Sequence, residues 1–332
     1  MKKLDVTVLG DGGWGTTLAI HLFRKGARVC LWGAFSDYTD YLNKIRVNKK
    51  FLPGFKIPAA VEITHDLRKA LYGKELIIIA APSQHMREVL KKIKALDYPR
   101  DAVYLSVTKG IEVGKLKRMS ELIREELGKV KTAVLSGPTI AQEVAKGIPT
   151  TAVIASCDKK TRGYLQNIFM TDRFRIYTNS DVIGVELGGS LKNVIAIACG
   201  ISDGLGFGTN TKAAILSRGL AEMSRLGCAM GAKPATFSGI TGLGDLVTTC
   251  ISPHSRNRFV GEEIGKGKRL NQIENRMQMV AEGVPTADSA YALSLKYKVD
   301  MPIVKEVYSV LYKNKSPLEA VKDLMTRAKK EE

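Results

Sequence analysis

Eight short apolar runs, separated by amphipathic stretches, occupy the first 180 residues of this 332-residue chain. They predict strands at 4–9, 28–32, 60–64, 75–81, 102–107, 132–136, 151–155 and 174–177, with helical periods between most of them. Such alternation is typical of a doubly wound, largely parallel sheet. After about Asn179 no strand is predicted, and helices punctuated by glycine follow. We therefore predict an α/β chain with a sheet domain over 1–180 and an all-helical domain over 181–332.

A glycine-rich segment, Gly10-Asp11-Gly12-Gly13-Trp14-Gly15, directly follows the first predicted strand and opens a helix. In this place glycines allow a tight turn, a close approach of the backbone to a pyrophosphate, and close packing of the helix on the strand. The pattern alone is a weak signal, but its position in an alternating chain strengthens it. We therefore predict a Rossmann-like dinucleotide-binding domain over 1–180. The motif glycines predicted at the cofactor are Gly10, Gly12, Gly13 and Gly15.

The end of the second predicted strand bears on the choice of cofactor. An NAD-specific site has an Asp or Glu there for the ribose hydroxyls, whereas this chain has Gly33 and Ala34, and the nearest acid along the chain is Asp37. The missing acid removes a like-charge penalty against a 2′-phosphate. The cations that follow, Arg46, Lys49 and Lys50, are either partners for such a phosphate or solvated loop charges. We expect both NADH and NADPH to be used.

Two later strand ends carry polar groups at the carboxyl edge, where sheets of this class bind ligands. One is 106–110, which includes Lys109, and the other is 136–143. In the second, Pro138 suits the first position of a helix, which leaves nearby amides free to bind an anion. Each segment is equally compatible with an ordinary strand-to-helix turn.

Lys192 lies in an apolar segment, 186–198, that contains two adjacent glycines and is expected to be a poor helix. No carboxylate lies three or four residues away to pair with it on a helix. Glycines of this kind indicate that the backbone approaches another group closely, and a ligand is the natural candidate. A partly desolvated ammonium can exchange a proton with a substrate oxygen. The alternative is a lysine that packs its stem on the helix and extends its charge into water.

Two segments of the helical half add charges. Asp245 lies among apolar residues in 242–250 and can balance a lysine. In Ser255-Arg256-Asn257-Arg258, Ser255 can cap a helix that begins there, while Arg256 can clamp a phosphate through two contacts. The alternatives are a simple helix cap and a surface charge.

Composition limits the partners of the chain. Its formal net charge is +18, but the basic residues are dispersed among acidic neighbours rather than interleaved with aromatics. We therefore expect no nucleic-acid partner, and a positive field that attracts an anionic small substrate.

The five cysteines lack metal or redox spacing and are interpreted as small core residues, and no metal is expected. No apolar run approaches the roughly 20 residues of a membrane helix, and no signal-peptide core is seen, so we expect a cytoplasmic protein without membrane insertion.

Seven segments, in order along the chain, resemble the motifs of the bacterial NAD(P)-dependent sn-glycerol-3-phosphate dehydrogenase family. They are 10–16, 108–110, 136–139, 186–194, 202–208, 242–246 and 255–258. The resemblance runs from end to end. It implies reversible hydride transfer between NAD(P)H and the carbonyl of dihydroxyacetone phosphate, which gives glycerol 3-phosphate for phospholipid synthesis, in a cytoplasmic homodimer.

The resemblance also implies roles for individual residues. Lys192 matches the family's proton donor and acceptor, with Lys109 and Asp245 beside it. The positions that match substrate-binding residues are Lys109, Gly137, Thr139, Lys192, Asn193, Asp245, Ser255, Arg256 and Asn257. The positions that match cofactor contacts are Gly13, Trp14, Lys109, Ala141, Arg256, Val280 and Glu282. Ala34 departs from the basic or imidazole side chain of many members, which puts a preference for NADP in doubt.

Two other interpretations stay open at the level of sequence. A dehydrogenase with the same domain order can act on a 3-hydroxy acid or on ketopantoate, but those substrates lack the phosphate dianion that Arg256 would read. A dinucleotide-sensing regulator or a nucleic-acid binder without turnover belongs to a different class. Cofactor oxidation in the presence of dihydroxyacetone phosphate separates an enzyme from a regulator or a nucleic-acid binder.

Overall fold

The chain folds into two compact units, seen in a computed structural model that describes residues 3–277, 279–329 and 331. The first unit runs to Lys109 and resumes at Lys117–Glu186. The second consists of Gly110–Leu116 and the chain from Leu187 onward. The first unit thus ends later than the predicted boundary at residue 180, and a short internal segment belongs to the second.

The first unit is built on one eight-stranded sheet. Its strands are β1 (Asp5–Leu9), β2 (Arg28–Trp32), β3 (Glu62–Thr64), β4 (Leu76–Ile79), β5 (Val103–Ser106), β6 (Lys131–Ser136), β7 (Thr150–Ala155) and β8 (Phe174–Asn179). Their order is β3-β2-β1-β4-β5-β6-β7-β8, and every pair is parallel except β6 with β7. All eight predicted strands are present, so the predicted doubly wound, largely parallel sheet is confirmed.

Helices lie along the sequence between these strands. They are α1 (Gly13–Arg24), α2 (Ser36–Ile45), α3 (Leu67–Leu71), α4 (Met86–Lys94), α5 (Met119–Leu127), α6 (Ala141–Lys146) and α7 (Lys159–Phe169). Each face of the sheet has its own apolar cluster: Ile78 packs in one, and its neighbours Ile77 and Ile79 pack in the other. A strand that is buried on both faces must be apolar at consecutive positions, which is why β4 is a continuous aliphatic run.

From Leu187 onward the described part of the second unit forms helices and no strand, as predicted. Its first helix, α8 (Val182–Gly204), begins in the first unit. The others are α9 (Thr209–Ala229), α10 (Pro234–Phe237), α11 (Asp245–Ile251), α12 (Arg256–Gly265), α13 (Leu270–Glu274), α14 (Gly283–Tyr297), α15 (Pro302–Tyr312) and α16 (Pro317–Met325). One turn of π-helix, Ile240–Gly244, leads directly into α11.

Helix α8 corrects three expectations. It is a regular helix of 23 residues rather than a poor one. By length and composition it could cross a membrane, contrary to the expectation that no apolar segment reaches that length, but 89% of its most apolar window is buried, as in a core helix. A Cβ on Gly188 would lie only 2.5 Å from the carbonyl oxygen of Thr241, so this glycine admits the protein's own backbone and not a ligand.

The cysteines differ in part from the expected core role. Cys30, Cys199 and Cys250 are buried, whereas Cys157 and Cys228 are exposed. Cys199 on α8 also hydrogen-bonds with Cys250 on α11, and this contact, together with burial, raises the pKa of the Cys250 thiol. Spacing in the sequence gave no sign of this pair.

Candidate active site

The glycine-rich loop between β1 and α1 is shaped by two different demands. Gly10 has φ +125°, and a Cβ there would lie 2.8 Å from the backbone of Ala80, while a Cβ on Gly15 would lie 1.9 Å from the oxygen of Gly10. These two glycines are required by the packing of the chain itself. A Cβ on Gly12 would meet no atom of the described residues within 4 Å, so this glycine leaves open space at the N-terminus of α1. The unbonded N–H groups of a helix start and that open space suit a pyrophosphate.

Asn48 holds this loop in place, although the sequence analysis did not single it out. Its side-chain nitrogen donates to the carbonyl oxygen of Asp11 (2.7 Å) and to Thr16 Oγ1 (2.8 Å). Its side-chain oxygen accepts from the Tyr38 hydroxyl at 2.7 Å and from the Phe51 amide at 3.1 Å. The side chain is fully buried with all of these bonds made. A single asparagine in a loop carries no sequence signal for such a role.

A carboxylate lies at the end of β2, although none was predicted there. The Asp11 side chain lies against Gly33, where a Cβ would be 2.2 Å from Asp11 Oδ2. Of the cations suggested as 2′-phosphate partners, Arg46 donates to the carbonyl of Val61 at 2.7 Å, and Lys50 lies 5.0 Å from the centre of the Phe51 ring. The prediction of no acid at this strand end was wrong, because the acid comes from the glycine loop and not from the strand itself.

Lys109 joins the two predicted strand ends within the first unit. Its Nζ donates to the carbonyl of Gly137 at 2.7 Å and to Thr139 Oγ1 at 3.4 Å. The residue that opens α6, Ala141, accepts through its carbonyl from Thr17 Oγ1 of α1 at 3.2 Å. Pro138 is not at the first helical position as predicted, because α6 starts three residues later, at Ala141.

In the second unit, Lys192 is the central cation. It is only 5% exposed, which excludes the alternative of a lysine that extends its charge into water. Its Nζ donates to the Asp245 carboxylate and, at 2.6 Å, to Thr249 Oγ1, both on α11. The Thr249 hydroxyl in turn donates to the Asp245 carbonyl at 2.7 Å. The expected lysine partner for Asp245 is therefore present, and a neighbouring carboxylate favours the charged form of the amine.

Two predicted substrate-binding residues, Asn193 and Asn257, are hydrogen-bonded to each other, and Asn193 directly follows Lys192 in the sequence. Asn257 Nδ2 donates to Asn193 Oδ1 at 2.9 Å, and Asn257 Oδ1 accepts from the Gly283 amide at 2.8 Å. Both side chains are buried. This chain of amides ties α8 to α12 and to the start of α14.

The start of α12 brings together the remaining predicted residues. Ser255 is its N-cap, as predicted, and its Oγ accepts from the Arg258 amide at 3.2 Å. Arg256 is exposed and donates to the carbonyl of Val280 at 2.7 Å, two residues before Glu282. Arg258 donates to Asp203 at 2.6 Å, so the 202–208 and 255–258 motifs meet in this unit. The result is an arginine beside the N-terminus of a capped helix, which can bind an anion.

Two family models match most of the chain. The description "NAD-dependent glycerol-3-phosphate dehydrogenase N-terminus" matches residues 5–162, and the corresponding C-terminus matches 181–322. The glycerol-3-phosphate dehydrogenase [NAD(P)+] of Thermoanaerobacter sp. (strain X514) is 50% identical over 329 residues, 99% of each chain. That of Geobacillus kaustophilus is 47% identical over 331 residues, 99% of this chain and 96% of the relative.

A solved structure agrees with these relatives. The crystal structure of glycerol-3-phosphate dehydrogenase from Coxiella burnetii superposes with a TM-score of 0.94 at 39% identity, over 98% of this chain and 99% of that one. The family expected from the seven motifs is confirmed, and with it an NAD(P)-dependent oxidoreductase. The chain therefore belongs to the NAD-dependent glycerol-3-phosphate dehydrogenase family.

Proposed function

We propose that this protein catalyses the reversible NAD(P)H-dependent reduction of dihydroxyacetone phosphate to sn-glycerol 3-phosphate, with Lys192 as proton donor and acceptor. The observation that carries the role of Lys192 is its buried ion pair with Asp245. A buried ammonium whose donors are aimed by fixed acceptors is pre-organised for one oxygen. The product would serve glycerophospholipid synthesis, and the working form would be a cytoplasmic homodimer.

We assign the pyrophosphate of the dinucleotide to the first unit. Open space at Gly12 and the start of α1 would receive the pyrophosphate. The other positions assigned to the cofactor are Gly10, Gly13, Trp14, Gly15, Lys109, Ala141, Arg256, Val280 and Glu282. The Trp14 indole N–H supports such a role, because it is buried and has no hydrogen-bond partner in the described residues.

We assign the chemistry at the carbonyl to Lys192. A dinucleotide, when bound, would supply the hydride for the carbonyl carbon, and negative charge would then develop on the oxygen. The Lys192 ammonium stabilises that charge and transfers one proton to the oxygen, so that an alcohol and a neutral amine result. Asp245 and Thr249 hold the amine in position and favour its return to the charged state.

We assign the substrate phosphate to the start of α12. Arg256 presents a planar pair of donors, and the capped helix presents its amide groups beside Ser255. The remaining residues assigned to the substrate are Lys109, Gly137, Thr139, Asn193 and Asn257. The buried Asn193–Asn257 pair would fix the position of Arg256 because it anchors the first turn of α12.

The test is Lys192→Met, which keeps the length of the side chain and removes the amine. We expect kcat to fall by at least about 100-fold, the usual scale for a general acid. The dissociation constant of NADH, measured by its fluorescence, should stay nearly unchanged. Lys296→Met on the exposed surface of α14 is the matched control and should retain full activity. Near-normal turnover in Lys192→Met would remove Lys192 from the mechanism.

A further inference from the structure

The glycine-rich loop places a carboxylate where a β2 residue usually does. In Rossmann-like sheets an acid at the end of β2 interacts with the adenosine ribose and disfavours a 2′-phosphate. Here β2 ends at Trp32, and the next residue, Gly33, has its side-chain position filled by the carboxylate of Asp11. The two positions depend on each other. A side chain at position 33 would collide with Asp11, and the glycine at that position leaves room for the Asp11 carboxylate.

The surroundings of Asp11 do not explain this carboxylate structurally. Its Oδ2 atom is buried and has no hydrogen-bond partner among the described residues. A carboxylate oxygen held away from water without a donor is energetically unfavourable. The loop itself is held through the carbonyl oxygen of Asp11, which Asn48 binds, and that contact does not need the side chain. A buried carboxylate oxygen that no described donor reaches points to a functional reason for its retention.

We propose that Asp11 is the residue that makes this protein bind NADH more tightly than NADPH. The inference rests on the proposed dinucleotide site of the first unit. Because Oδ2 is enclosed by protein atoms, the selection acts through charge: the carboxylate repels a 2′-phosphate at the end of β2 and leaves a ribose hydroxyl unaffected.

The charge of Asp11 is available at neutral pH. Burial raises the pKa of Asp11 to about 6, while its own backbone N–H and the charge of Lys50 act in the opposite direction. Lys50 is exposed, so water screens the attraction between Lys50 and a phosphate. The repulsion between the phosphate and the carboxylate of Asp11 is screened less, because one oxygen of that carboxylate is buried. Tyr38 also faces Asp11, and burial raises the pKa of its hydroxyl to about 12, so it stays neutral.

The experiment measures dissociation constants of NADH and NADPH for the purified protein by nicotinamide fluorescence at pH 7.5, without substrate. Asp11→Asn removes the charge and keeps the size, and Asp11→Ala removes the buried oxygen as well. We expect either change to lower the NADPH-to-NADH ratio of dissociation constants by about tenfold, the scale of one partly screened charge pair. Asp37→Asn, which neutralises an exposed acid in the first turn of α2, is the matched control and should leave the ratio unchanged.

The outcomes separate this inference from the proposed function. An unchanged ratio in a folded Asp11 variant that still binds NADH overturns the role of Asp11 and leaves the dinucleotide site intact. A shift of equal size in Asp37→Asn also overturns it, because the nearest acid after β2 would then share the effect. Failure of the unmodified protein to bind either nucleotide overturns both proposals. Circular dichroism and the Tm of each variant establish that it is folded.

Discussion

Glu222 on α9 is a buried acid that caps another helix. Its carboxylate accepts from the amides of Ile303 and Val304 at 2.7 and 3.1 Å, at the start of α15, and the residue is only 1% exposed. Burial raises the pKa of Glu222 to about 7, although the two amides and Arg225 favour the charged form. The acid therefore holds its proton more tightly in the folded chain than in the unfolded one.

The free energy of unfolding should reflect this proton. Because the folded pKa lies above the unfolded value of about 4.5, the contribution of Glu222 is complete below pH 4.5 and is lost as the pH rises through about 7. Relative to Glu222→Gln, the unmodified chain should lose up to about 3 kcal/mol of stability between pH 4.5 and 7.5. Urea unfolding of both proteins across this range measures the difference. Parallel pH profiles would contradict the prediction.

Single residues were predictable where one local rule applied to them. The ion pair of Asp245 was predictable because an acid among apolar residues can balance a lysine charge, and the structure shows that this lysine is Lys192. The position of the Asp11 carboxylate beside Gly33 was not predicted. The rule for cofactor choice considers only residues at the end of β2, whereas Asp11 belongs to a loop 22 positions before Gly33 in the sequence. Asn48 was missed because its four hydrogen bonds exist only after its loop has folded against α1.

At the scale of elements, α8 and α12 pack with almost no side chain between their backbones. A Cβ on Gly261 would lie 2.0 Å from the carbonyl oxygen of Ile197, and one on Gly200 would lie 2.0 Å from that of Arg258. These helices carry Lys192 and Arg256, so the close approach of their axes fixes the spacing of the two side chains within the second unit.

Gly261→Ala should therefore separate the helices. A methyl group cannot overlap a backbone oxygen, and overpacking of this kind is unfavourable by about 1–3 kcal/mol or more. Gly163→Ala in α7 is the matched control, because a Cβ there meets no atom within 4 Å in the part of the chain that the structure describes. That change should instead stabilise the chain by up to about 1 kcal/mol, the helix propensity gained over glycine. Thermal unfolding of both variants tests the pair, and a stable Gly261→Ala protein would show that the helices can separate without loss.

Elements were predictable to the extent that burial leaves a pattern. The eight strands were found because buried parallel strands need continuous apolar runs. The predictions for Gly188 and Pro138 failed for the same reason. A glycine or a proline in the sequence shows that the backbone is constrained there, but it does not show which group imposes the constraint. The constraint on Gly188 is the carbonyl of Thr241, more than 50 positions away in the chain.

At the scale of the whole molecule, the formal net charge of +18 should accelerate the capture of an anionic substrate. Such steering is weakened by salt, since the Debye length falls from about 10 Å at 0.1 M to about 3 Å at 1 M ionic strength. We expect kcat/KM for dihydroxyacetone phosphate to fall severalfold, about three- to tenfold, as ionic strength rises over this range. Dihydroxyacetone, which carries no charge, is the control substrate and should show little change. Equal salt dependence for both substrates would show that charge plays no part in capture.

The segment Gly110–Leu116 has a practical consequence for anyone who recombines this protein with its relatives. It packs within the second unit, where Ser190 Oγ donates to the Gly110 carbonyl at 3.2 Å and Ser289 Oγ lies 3.3 Å from the carbonyl oxygens of Ile111 and Glu112. The chain consequently passes from one unit to the other at 109/110, 116/117 and 186/187. A chimera made with a single crossover near residue 180 inherits this segment from one parent and its packing partners from the other. Only an exchange that moves 110–116 together with the C-terminal half keeps each parent's core whole.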